Sequence, residues 1–132
     1  MITKLVVTLS LLICHFDFLP ADCSDGKADA SDLYTYARKS YRAENLAELR
    51  SYAKKARVYG ENTRVSAARC KCEEAVISAD NAILYSKRAE NETSFEDAAN
   101  YAKKAFRAAE DVETALEDCD EPKGRPSKSR GV

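Results

Sequence analysis

Tryptophan does not occur in this chain, and the single histidine, His15, lies in an apolar N-terminal stretch. Proline is missing between Ala21 and Glu121, where Gly26 and Gly60 are the only glycines. Each absence excludes something. Without histidine after residue 15, the commonest general base and the commonest metal ligand are gone. Without a glycine-rich turn there is no loop to cradle phosphate. A hundred residues without proline, and nearly without glycine, lack the punctuation of a loop-rich or β-rich fold. Beyond the first twenty residues no run is long and apolar enough to span a bilayer. Charge of one sign is missing too: residues 22–120 carry 16 basic and 20 acidic side chains, so no broad basic field speaks for nucleic acid.

What is present begins with a leader. Residues 1–21 hold one Lys4, an apolar run over 5–14 and a small residue, Ala21, at the end. That pattern predicts a secretory signal removed near Ala21, and hence an exported, extracellular chain. Cys14 leaves with the leader, and Cys23, Cys70, Cys72 and Cys119 remain. An even number of cysteines in a small exported domain predicts two disulfides rather than a metal centre, and Cys-Lys-Cys is not a zinc spacing. No metal and no cofactor are expected. Residues 121–132 combine four basic residues, one acid, two prolines and two glycines, which predicts a disordered basic tail after a helical domain over 22–120.

The domain repeats itself. Shifting residues 23–71 onto 72–120 lays Cys23 on Cys72, Cys70 on Cys119 and Tyr36 on Tyr85. The same shift lays Tyr52-Ala53-Lys54-Lys55-Ala56 on Tyr101-Ala102-Lys103-Lys104-Ala105; ten of the 49 positions are identical. A repeat of this length is one supersecondary unit used twice. Alanine, leucine, glutamate, lysine and arginine fill it, all good helix formers. Leu49, Ala56, Thr63 and Cys70 recur every seven residues, and Ala98, Ala105, Val112 and Cys119 match them, each series being one buried helix face. In the first helices of the two repeats the expected buried stripes are Ala30, Leu33 and Ala37, and Cys72, Val76, Ala79, Ile83 and Ser86.

Asn45-Leu-Ala-Glu48 and Ser94-Phe-Glu-Asp97 occupy the same register, and each reads as a helix N-cap. Each repeat is therefore helix, short turn, longer helix. The expected fold is all-α, an up-and-down four-helix bundle of two helical hairpins. Antiparallel hairpins bring each first cysteine beside its last, favouring Cys23–Cys70 and Cys72–Cys119. All four lie at one end, so Cys23–Cys72 with Cys70–Cys119 stays open. Asn91-Glu92-Thr93 is an N-glycosylation sequon, placed in the second hairpin turn.

Catalytic pairs are missing. Glu73-Glu74, Glu96-Asp97, Glu110-Asp111 and Glu117-Asp118-Asp120 have the spacing of solvated helix faces. The cysteines are expected to be oxidised, and no nucleophile stands beside a base. The expectation is not an enzyme.

An exported chain with four cysteines and Ala-rich antiparallel helices resembles the plant invertase and pectin methylesterase inhibitor family. The likeness is carried by residues 70–119: a cysteine opens a helix with Ala75, Ala79 and Ala82 on one stripe, and an Ala-rich helix over 98–109 runs to a closing cysteine. In that family such a pair is bridged. The family's Pro-Lys-Phe motif of invertase inhibition is absent, Pro122-Lys123 being followed by Gly124. The resemblance therefore implies occlusion of an extracellular pectin methylesterase in the cell wall or apoplast, rather than of an invertase. The alternative reading is a secreted bundle with a non-inhibitory binding or defence role.

Overall fold

The computed structural model describes residues 23–120; the expected leader and the expected tail lie outside them. Four helices follow in order: α1 (Ser24–Tyr41), α2 (Leu46–Arg69), α3 (Glu73–Asn91) and α4 (Phe95–Asp120). Each packs against its neighbours in the chain, and α1 closes the ring against α4. The result is the expected up-and-down four-helix bundle, with no strand among the described residues.

The repeat is visible in every layer of this fold. The 49-residue shift carries the first residue of α1 onto that of α3, and the first residue of α2 onto that of α4. It also carries the buried residues of α1 (Gly26, Ala30, Leu33, Ala37, Ser40) onto those of α3 (Ala75, Ala79, Ala82, Ser86, Ala89) without exception. The six buried positions of α2 map onto buried positions of α4, which adds Ala108 and Ala115. The caps repeat as well. Asn45 Oδ1 accepts from the Glu48 N–H at 2.8 Å, and Ser94 Oγ accepts from the Asp97 N–H at 3.1 Å. Each cap satisfies a donor that the first turn leaves without a helical partner.

One disulfide joins Cys23 to Cys70 and the other joins Cys72 to Cys119, both with a sequence separation of 47. Each hairpin is thus stapled on itself. Between them α2 ends in a Schellman turn, with the Cys72 N–H on Ala67 O at 2.9 Å and the Lys71 N–H on Ala68 O at 3.2 Å. Lys71 takes the left-handed position of that turn, φ 58°, which usually falls to glycine. This reversal turns Cys70 and Cys72 toward different helices. The cysteines cap and border the helices rather than lying along the buried stripes: Cys23 and Cys72 are buried, but Cys70 is half-buried and Cys119 exposed.

The core is built of small side chains. Leu33, Leu49, Leu116 and Val112 are the largest fully buried residues, and alanine supplies most of the rest. Val76 and Ile83, expected in the α3 stripe, are only half-buried, because the inward line runs through Ala75, Ala79, Ala82, Ser86 and Ala89. Six of the seven tyrosines are half-buried and Tyr41 is 40 % exposed, so they form a rim and not a core.

Two seams join the hairpins, and the same positions fill them with different chemistry. Between α1 and α4, Phe106 packs against Tyr34 (ring centroids 5.2 Å) and stacks on Tyr41 (5.9 Å). The shift carries the Tyr41–Phe106 pair onto Glu90 and Arg57, and across the seam between α2 and α3 these form an ion pair at 3.0 Å. The hydrogen bond that Arg57 donates to Glu90, with a second to Glu61, holds its guanidinium above its ordinary pKa against the opposing effect of burial. At this pair of positions one seam is apolar and the other ionic. A hairpin paired with a second copy of itself would set Phe106 against the Glu90 carboxylate, or Arg57 against Tyr41 without that carboxylate, which favours the pairing of unlike hairpins.

Candidate binding surface

The residues that carry possible chemistry are all at the surface. The acidic pairs read from the sequence sit on exposed or half-exposed faces of α3 and α4. Asp120 is structural. Its carboxylate accepts from the Cys23 N–H at 3.2 Å and pairs with Lys27 at 2.5 Å, tying the end of α4 to the start of α1. Glu113 is half-buried; desolvation, with Glu117 and Glu110 nearby, pushes its carboxyl above the usual glutamate range. Among the described residues no group of three or more His, Cys, Asp or Glu is arranged to hold a metal ion. Asn91 is the last residue of α3 rather than part of the turn; it is exposed, and its Nδ2 donates to Lys87 O at 2.8 Å.

What the sequence reading passed over lies on the outer grooves of the two hairpins. In the α1/α2 groove, Tyr36 stacks on Tyr59 with ring centroids 5.4 Å apart and nearly parallel, and lies 6.3 Å from Tyr52. The ammonium groups of Lys39 and Lys55 each sit 5.3 Å from the centre of the Tyr36 ring, and Lys39 is also 5.6 Å from that of Tyr52. The α3/α4 groove repeats the unit at the shifted positions. Lys104 is 5.7 Å from the Tyr85 ring centre and 5.5 Å from that of Tyr101, and the Arg88 guanidinium is 5.6 Å from Tyr101.

The local sequence makes this arrangement. Tyr36-Ala37-Arg38-Lys39 and Tyr85-Ser86-Lys87-Arg88 hold a tyrosine beside the core and a cation one turn later on the same flank. The second helices answer with Tyr52 and Lys55, or Tyr101 and Lys104, three apart. The charged heads stand over the rings, whose negative faces attract them. Lys39, Lys55, Arg88 and Lys104 take part in none of the ion pairs among the described residues. The grooves differ in detail: Tyr59 of the first corresponds to Ala108 of the second, Val58 to Arg107, and the Arg-Lys of 38 and 39 to the Lys-Arg of 87 and 88.

Open clefts flank the first groove. One is bordered by Arg38, Lys39, Arg42, Glu48 and Tyr52, the other by Tyr36, Lys54, Lys55, Val58 and Tyr59. No helix of the described residues is long and apolar enough to cross a membrane.

The fold and this surface define a class: a disulfide-stapled four-helix bundle made of one hairpin used twice. Compared with known proteins, the chain matches no family model, no curated protein and no solved structure.

Proposed function

We propose that this is an exported helical binding protein, without chemistry of its own, which covers the carbohydrate-binding cleft of an extracellular pectin methylesterase. The observation that carries the binding reading is the division between interior and surface. The interior is mostly alanine packed under two disulfides, with Ser40, Thr63 and Ser86 its buried polar side chains among the described residues, while the cations and aromatic rings stand outside in stapled, repeated positions. A face spread over several helices binds well only if their relative positions are fixed beforehand, and the two staples supply that rigidity. The choice of esterase follows the resemblance of residues 70–119 to the inhibitor family. Export follows from the leader-like N-terminus and agrees with paired cysteines. Asn91 is the expected glycan site, exposed at the hairpin-turn end of α3.

The test is an inhibition assay on a panel of pectin methylesterases and invertases with the mature, oxidised protein. Saturable inhibition of an esterase, lost on disulfide reduction and unaccompanied by hydrolysis from the protein alone, is expected. No inhibition of any member and no complex with one refutes the esterase reading.

A second reading, non-inhibitory binding, is favoured by one observation: the cation–tyrosine unit is present in both hairpins and not on a single occluding face.

A further inference from the structure

The 49-residue shift leaves ten identical positions, and half have an architectural reason. The cysteines are the staples, and Ala30, Ala53 and Ala56, with their counterparts, are buried. Glu61 and Glu110 are exposed. The remaining four, Tyr36, Tyr52, Lys54 and Lys55 with their counterparts, lie outside the core, and all but Lys54 and Lys103 take part in the cation–tyrosine units of the grooves. Positions 38 and 39, and 87 and 88, keep positive charge even though arginine and lysine exchange places. What the two halves share beyond a fold is this cationic, aromatic surface.

The arrangement is electrostatically incomplete. Lys39 and Lys55 each stand 5.3 Å from the centre of the Tyr36 ring, so two like charges share it and repel, and no carboxylate among the described residues pairs with either. A ring face offsets part of that repulsion. An anion bound to both would offset more, and heads already held over the tyrosines have surrendered part of the freedom that binding would otherwise remove.

The position of the grooves narrows the kind of anion. The helices contact one another in ring order, so the α1/α2 and α3/α4 grooves face opposite sides of the bundle. A membrane is a plane and reaches one of them. A soluble polymer reaches both. Tyrosines standing beside cations suit a chain whose units carry hydroxyl-rich rings as well as a carboxylate.

We propose that each hairpin groove is a binding site for a carboxylated polysaccharide, a polyuronate, and that one molecule bridges two such chains. The first site is Tyr36, Lys39, Tyr52 and Lys55, and the second is Tyr85, Arg88, Tyr101 and Lys104. This goes beyond the esterase reading and stands whether or not an esterase is the partner.

The experiment is calorimetric titration of the whole mature, oxidised protein with a short de-esterified oligogalacturonate. Two sites per chain are expected, weakening as salt is added. Lys39→Ala with Lys55→Ala should remove one site and leave the other; Arg88→Ala with Lys104→Ala should do the converse; all four together should abolish binding. Lys55→Arg and Lys104→Arg should keep both. Helical circular dichroism and melting guard against unfolding, since these side chains are exposed. With long polyuronate, light scattering should rise for the parent protein and not for either single-groove variant. Binding that survives all four substitutions, for instance through the basic residues of 121–132, overturns the proposal. So does equal binding of a fully methyl-esterified chain, or binding confined to anionic phospholipid vesicles or an acidic peptide.

Discussion

Replacing Gly60 by alanine sets two effects of known sign against each other. Alanine in the interior of a helix is favoured over glycine by about 1 kcal/mol. Position 109, its counterpart in the second repeat, already carries alanine within α4. Against that, a Cβ at Gly60 would lie 3.0 Å from Ile83 Cγ1 across the α2/α3 seam and 3.7 Å from Leu33 Cδ1. Ile83 is β-branched on a helix and strongly prefers one χ1, so its Cγ1 does not swing away freely. Relief must come from a minor rotamer or from α2 and α3 moving apart, and overpacking of this kind costs about 1–3 kcal/mol. The net expectation for Gly60→Ala is a loss of about 0–2 kcal/mol, despite the better helix former. In an Ile83→Ala background the obstacle is gone, and the same change should stabilise by about 1 kcal/mol. Urea melts of the four proteins, followed by far-UV circular dichroism, give the cycle. Stabilisation of the parent by a full helix-propensity increment would refute the close approach of α2 to α3.

The two disulfide loops have equal length and do not overlap. Cys23→Ala with Cys70→Ala, and Cys72→Ala with Cys119→Ala, should therefore each cost about 4 kcal/mol by loop entropy, measured by denaturant melts. Their losses should add, leaving the variant that lacks both staples near the limit of folding. The Ser86 hydroxyl is buried with no hydrogen-bond partner among the described residues, and Ala37 stands at its counterpart. Ser86→Ala should raise stability by about 1 kcal/mol in the same assay. Glu113 binds its proton more tightly in the folded state than in the unfolded one, through burial first and then through Glu117 and Glu110. The contribution of this group to stability should thus be fullest below the ordinary glutamate value and be lost as pH rises through the raised one. Glu113→Gln should accordingly raise the melting temperature at neutral pH, with the gain vanishing in acid.

The sequence announced the helices because three local signals agreed: propensity, the seven-residue stripe and the caps at Asn45 and Ser94. Its failures came where neighbours in space decide. Val76 and Ile83 outrank alanine on any hydrophobic scale, yet the helices approach too closely for them to point inward, and both settle on the seam toward α2. The exchange of Tyr41–Phe106 for Glu90–Arg57 needs the pairing of helices distant in the chain, which no window of sequence contains. The grooves are a different case. Their signal, the shared Tyr-Ala-Lys-Lys-Ala with Tyr36 and Tyr85, was in plain view. Lysine pairs on helices usually mean a solvated face, and only the geometry shows Lys39, Lys55 and Lys104 lying on tyrosine rings.

Fold, seams and grooves all rest on one unit used twice, each copy closed on itself. The turn between the copies allows a direct test. Trypsin cutting after Arg69 and Lys71 releases Cys70-Lys71 as a dipeptide, held only by its disulfide. Non-reducing peptide mapping of the native oxidised protein should find that dipeptide attached to the peptide containing Cys23, with Cys72 attached to Cys119. Finding it attached to the peptide containing Cys119 would mean that the disulfides cross between the hairpins, and that the two repeats are not self-contained.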